Sequence, residues 1–66
     1  MKYNRIKEVL KEKDRSQRWL ARKIDLSANA VNVICQNKTQ PRIETLFSIA
    51  NALEVDVCDL LEREAN

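Results

Sequence analysis

The 66-residue chain contains no glycine and no histidine, one proline, two cysteines, and a single Trp, Tyr and Phe. Each scarcity removes a class of chemistry. Without glycine there is no Gly-rich phosphate loop; without histidine the commonest general base and metal-binding nitrogen are missing. Cys35 and Cys58 lack CxxC spacing, and two thiols do not close a zinc site, which takes about four ligands. Both read as small apolar side chains rather than as a disulfide framework. Ser16, Ser27 and Ser48 have no evident activating partner. No enzyme, cofactor or metal is expected. Long apolar runs are also absent: no stretch approaches the roughly 18 residues of a membrane span. Met1–Arg5 leads into mixed charge rather than a signal-peptide core. The expectation is a cytoplasmic protein with no membrane partner.

What is present is periodic. Apolar residues make up 44% of the chain, enough for one small domain spanning 1–66 but not for two. Helical spacing predicts five helices. The first covers about Tyr3 to Lys13, with Ile6, Val9 and Leu10 on one face. The second follows Ser16, a favoured N-cap, and turns Leu20, Ala21 and Ile24 inward. The third follows Ser27 and runs to about Cys35 with Val31 and Ile34 inward. A polar loop closed by Pro41 separates it from a fourth helix whose apolar stripe is Ile43, Leu46, Ile49, Ala50 and Leu53. The fifth is short, with Asp56 as cap, Asp59 as its capping-box partner, and Leu60 and Leu61 packing back. Residues 62–66 form a short tail. The architecture read from this is all-α, without strands or repeats. Lacking glycine, the helix ends fall to Asp14, Asp25 and Asn37, among the non-glycine types that best tolerate a left-handed backbone.

Net charge is only +2, but it is unevenly distributed. Residues 15–42 carry Arg15, Arg18, Arg22, Lys23, Lys38 and Arg42 against Asp25 alone; residues 43–66 carry Arg63 against Glu44, Glu54, Asp56, Asp59, Glu62 and Glu64. A basic middle beside an acidic end suits a molecule with one face for a polyanion, although a solvated surface gives the same tally. Within the basic stretch, residues from about 16 to 35 hold Leu20, Ala21, Ile24, Leu26, Val31 and Ile34 at the spacing of two short helices meeting across a tight turn. Ala21 is small where the second helix crosses. Leu26 is expected to plug the turn. Ala28, Asn29, Asn32, Val33 and Gln36 are left facing outward.

These stretches, "SQRWLARKIDLSANAVNVI", "NKTQPRIETL" and "SIANALEVDVCDLL", resemble the lambda-repressor-like, or Cro/XRE-type, helix-turn-helix proteins over about Arg5 to Leu61. The resemblance implies a compact five-helix domain whose second and third helices form the helix-turn-helix, with the third entering the major groove of double-stranded DNA. It places Ala28, Asn29, Asn32, Val33 and Gln36 toward base edges, where Asn suits adenine and a methyl suits thymine. It places Arg15, Gln17, Arg18, Ser27, Lys38, Thr39 and Arg42 toward phosphates. Val57 and Cys58 lie where relatives dimerise, so a self-association patch is expected there, weighed against completion of the core.

Departures from the family pattern are also legible. Its usual glycines are Asp14, Asp25, Asn37 and Glu54 here, and its ion pair between the first and third helices is replaced by Leu10 and Cys35, read as a packed contact. Trp19 replaces a polar residue and is expected to lie over the stem of Lys23 or Arg15. Phe47 is expected at the core rim. The functional expectation is a sequence-specific DNA-binding transcriptional regulator, acting as a homodimer: an autoregulator, a phage-type repressor, or an antitoxin with a toxin partner. The alternative is a protein-binding module that keeps the fold without DNA specificity, favoured by the acidic last third and Trp19.

Overall fold

The computed structural model describes residues 2–62, so the tail expected at 62–66 lies almost wholly outside the described residues. Four α-helices, α1 (Ile6–Glu12), α2 (Gln17–Ile24), α3 (Ala28–Cys35) and α4 (Ile43–Leu53), are followed by one 3-10 turn, Val57–Leu60. The expected fifth helix is therefore this turn. Four residues are too few for a second α-helical turn, and the bonds Asp59 N–H to Asp56 O (2.9 Å) and Leu61 N–H to Cys58 O (3.3 Å) are of the tighter i to i+3 kind. The Asp56–Asp59 capping box is formed as expected.

Helix starts follow local chemistry. Ser16 Oγ accepts from Trp19 N–H at 2.9 Å and Ser27 Oγ from Ala30 N–H at 3.0 Å, so α2 and α3 begin where their caps dictate. Among the described residues, the positive-φ positions all sit at helix ends: Asp14 (57°), Asp25 (60°), Asn37 (61°) and Glu54 (59°). Each is followed by an N–H turned back five residues, Arg15 to Leu10, Leu26 to Ala21, Lys38 to Val33 and Val55 to Ala50. This closure usually relies on glycine.

The core takes Ile6, Val9 and Leu10 from α1, Leu20 and Ala21 from α2, Val31, Ile34 and Cys35 from α3, Leu46, Ile49, Ala50 and Leu53 from α4, and Leu60. Leu10 and Cys35 are thus buried in one cluster. Three apolar expectations need correction. Ile43 is 67% exposed at the first position of α4, and the buried side of that helix starts only at Leu46. Leu26 stays exposed at the turn, the crossing being filled by Leu20, Ala21 and Val31. Leu61 is exposed while Leu60 is fully buried, since Leu60 closes the 3-10 turn against the core and Leu61 leaves it in extended conformation.

The first helix is shorter than its expected start at Tyr3, because residues before Ile6 have other partners. Asn4 Oδ1 accepts from Ile6 N–H (3.1 Å) and stops the helix there. Arg5 N–H bonds Leu60 O and Glu62 N–H bonds Tyr3 O, both at 2.8 Å, with an isolated antiparallel bridge between Asn4 and Leu61. Residues 2–5 therefore form an extended strap across the end of the chain, tied to α1 by the Lys2–Glu8 ion pair. The bond to Lys2 holds the Glu8 carboxyl below its ordinary range, and the bond to Glu8 raises the Lys2 ammonium.

Candidate nucleic-acid interface

Positions 28, 29, 32, 33 and 36 share one side of α3 by helical geometry, opposite the buried Val31, Ile34 and Cys35. Ala28, Asn29 and Gln36 are exposed; Asn32 and Val33 are half-buried. The cause for Asn32 is an amide ladder across the two helices. Asn32 Nδ2 donates to Gln17 Oε1 at 3.0 Å, and Asn32 Oδ1 accepts from Gln36 Nε2 at 3.0 Å. One donor and one acceptor of Asn32 are thereby committed, while the free valences pass outward to the Gln17 Nε2 donors and the Gln36 Oε1 acceptor. Asn29 lies outside this ladder, with its amide open to solvent.

The groups expected to meet phosphate surround this face unequally. Arg18, Lys38, Thr39 and Arg42 are exposed, the last three on the segment that leads from α3 to α4. Arg15 is engaged elsewhere: its guanidinium lies 4.7 Å from the Trp19 ring centroid, with the Lys23 ammonium at 5.9 Å on the same ring. Trp19 is half-buried as expected, and Lys13, Arg15 and Lys23 gather round it beside Leu53 and Glu54 at the end of α4. Arg15 is thus drawn toward the α4 side of α2, whereas Gln17 turns toward α3. Ser27 uses its oxygen on the cap and retains a hydroxyl hydrogen to donate.

A second polar network, behind the loop, was not foreseen from the sequence. Asn4 is 1% exposed; its Nδ2 donates to Ile34 O (3.0 Å) and Gln40 Oε1 (2.8 Å). Asn37 Oδ1 accepts from Tyr3 N–H, Asn4 N–H and Gln40 Nε2 at 2.8, 2.9 and 3.1 Å, and Asn37 Nδ2 returns a bond to Asn4 O at 3.0 Å. The available signal was an Asn two residues before an apolar helix start, a common Asx-turn pattern. Its long-range partners left no sequence trace.

The expected patch at Val57 and Cys58 forms one wall of a shallow groove. Val57 is half-buried against the core, Cys58 is exposed, and Phe47, Ala50, Asn51, Val55 and Asp56 complete the lining. Phe47 is 56% exposed, so it belongs to this surface rather than to the core rim. Burial raises the Cys35 thiol to about 11, leaving it protonated at neutral pH. Among the described residues, no group of three or more His, Cys, Asp or Glu is placed to hold a metal ion, and no helix is long and apolar enough to cross a membrane.

Comparison with known proteins agrees with this geometry. The family described as Helix-turn-helix matches residues 6–60. A crystal structure of a candidate DNA-binding protein from Bacteroides fragilis is 44% identical, covering 94% of this chain and 100% of that one, with a TM-score of 0.90. The N-terminal DNA-binding domain of SinR from Bacillus subtilis is 32% identical, covering 94% of this chain and 91% of that domain, with a TM-score of 0.77. A transcriptional regulator from Listeria innocua shares the fold at 16% identity and a TM-score of 0.76, covering 100% of this chain and 68% of its own. No curated protein matches the sequence. With its capped helix pair, its outward polar face and a match over most of its length, the chain belongs to the lambda-repressor-like, Cro/XRE-type helix-turn-helix family.

Proposed function

We propose that this protein binds double-stranded DNA in a sequence-dependent manner and regulates transcription, with α3 in the major groove and two copies bound to a two-fold operator. The observation that carries the reading is the Gln17–Asn32–Gln36 amide ladder beside the open Asn29, on the one face of α3 that the core does not cover. Ordering polar side chains costs rotamer entropy, and these amides suit base edges: Asn29 and Gln36 as readers, with Asn32 held between Gln17 and Gln36 as an orienting group. Ala28 and Val33 supply methyl surface for thymine. Arg18, Lys38, Thr39 and Arg42, with the Ser27 hydroxyl, grip the flanking phosphates; Arg15 adds charge at longer range. The Val57–Cys58 groove seats the second copy, placing two α3 helices about 34 Å apart, one turn of DNA.

Fluorescence anisotropy tests this directly. The protein is titrated into its own upstream region and a scrambled duplex at two salt concentrations. Tighter binding to the upstream region, weakened by salt and abolished by Asn29→Ala/Asn32→Ala, supports autoregulation; equal salt-sensitive binding to both moves the operator elsewhere. Absence of binding to either at low salt overturns the DNA reading. A second reading has its own observation: Ile43 and Phe47, 67% and 56% exposed one turn apart on α4, form an apolar strip suited to a partner protein such as a toxin.

A further inference from the structure

We propose that Asn4, Asn37 and Gln40 are positioning residues for DNA binding: they hold the loop from Lys38 to Arg42 in its phosphate-gripping shape without touching DNA themselves. The inference rests on the DNA-binding reading and extends it to a part of the chain remote in sequence. The first residues of the loop are tied to α3 by backbone bonds from Lys38 N–H and Thr39 N–H to Val33 O, at 3.0 and 3.5 Å. Lys38, Thr39, Gln40 and Arg42 are exposed, and α4 begins without a side-chain cap at Arg42. Further along, the strap anchors the loop at Gln40. Asn4 is almost fully buried, yet its side chain makes three hydrogen bonds, one capping Ile6, one to the Ile34 carbonyl near the end of α3, and one to Gln40 within the loop.

Asn37 completes the arrangement from the other side. Its left-handed backbone turns the chain out of α3, with Lys38 N–H closed onto Val33 O at 3.0 Å. Its side chain meanwhile binds both strap amides and Gln40. Glycine and asparagine both satisfy the backbone requirement at φ 61°, so the turn alone does not distinguish between them. The amide does: it couples the helix end, the loop and the strap. The strap is in turn held by Leu60 and Glu62 through backbone bonds of 2.8 Å. A loop fixed in this way loses less freedom when it meets phosphate, and pre-organisation is gained as affinity.

Asn37→Gly separates the two roles, because it keeps the left-handed turn and deletes the amide. Gln40→Ala, at an exposed position, removes the loop's side of the network. Folding is followed by far-UV circular dichroism and melting temperature, expected to stay within about 5 °C of the unaltered protein. DNA binding is followed by anisotropy on a labelled mixed-sequence duplex between about 50 and 200 mM salt. Each variant is expected to bind about three- to tenfold more weakly, with a log K against log salt slope flatter by about 0.9 for each phosphate no longer gripped. Amide exchange at Thr39 and Tyr3 is expected to quicken while that of α2 holds. Unchanged affinity and slope in both variants overturn the positioning role while leaving the DNA reading intact. Failure of the unaltered protein to bind the duplex overturns both.

Discussion

Four side chains occupy a backbone conformation that glycine adopts without steric penalty: Asp14, Asp25, Asn37 and Glu54, all with φ near 60°. A residue with a Cβ gives up roughly 1–2 kcal/mol there, partly offset because glycine also frees the unfolded chain. Asp14→Gly and Glu54→Gly are therefore each expected to stabilise the fold by about 0.5–1 kcal/mol, raising the melting temperature by several degrees in thermal denaturation. Glu54 is the sharper case, since it has neither the short side chain nor the local bonding that makes Asp tolerable. The two thiols differ as clearly. Cys58 is exposed, whereas Cys35 is buried and its proton is held up to about pH 11. With the protein diluted until it is monomeric, a maleimide at neutral pH is expected to modify one thiol of the folded chain and two after denaturation, with mass spectrometry locating the first on Cys58.

Between neighbouring helices, the tightest demand falls on Ala21. It is 4% exposed in α2, which packs against α3, and shares its helix with the fully buried Leu20. Ala21→Leu adds volume where no space remains and is expected to cost about 1–3 kcal/mol, read from denaturant midpoints at constant slope. Leu20→Ala errs in the opposite direction, leaving a cavity at about 2–5 kcal/mol. Because α3 is only eight residues long, it depends on this packing and on its Ser27 cap rather than on intrinsic helicity. A misplaced α2–α3 crossing therefore disturbs the Gln17–Asn32 bond first, since that bond joins the two helices on their outer side.

For the molecule as a whole, the basic middle of the chain and its acidic last third separate charge between the helix-turn-helix and the region after α4. The groove by Val57 and Cys58 lies in that acidic part, with Asp56 on its rim. Self-association there has to come from apolar burial rather than from opposite charge. Phe47→Glu, at a position already 56% exposed, is accordingly expected to leave the melting temperature nearly unchanged. It should shift a sedimentation profile from dimer toward monomer and weaken operator binding with it. A profile that the substitution does not move would place the interface elsewhere.

The helix-turn-helix was open to reading from the amino acids because its determinants are short-range. Ser16 and Ser27 cap the helices directly after them, Asp25 closes the turn between those helices, and the apolar spacing of Leu20, Ala21, Val31 and Ile34 repeats within a few residues. Such signals act between neighbours and survive in any tertiary context that buries one face. The outward face of α3 follows from the inward one by geometry. The strap does not: Asn4 meets Ile34 and Gln40 across thirty or more positions, and no periodicity links them. Likewise, Ile43 fits the apolar stripe of α4 as sequence, yet stays at the surface in the fold. Local order along the chain was thus enough to specify α2, α3 and α4, the serine caps, the turns and the family, but not the start of α1 or the 3-10 form of the last turn. Which polar groups share a buried network, which cations remain free and which apolar residues stay at the surface were settled by the folded arrangement, because those outcomes depend on chain segments meeting only after the loops have closed.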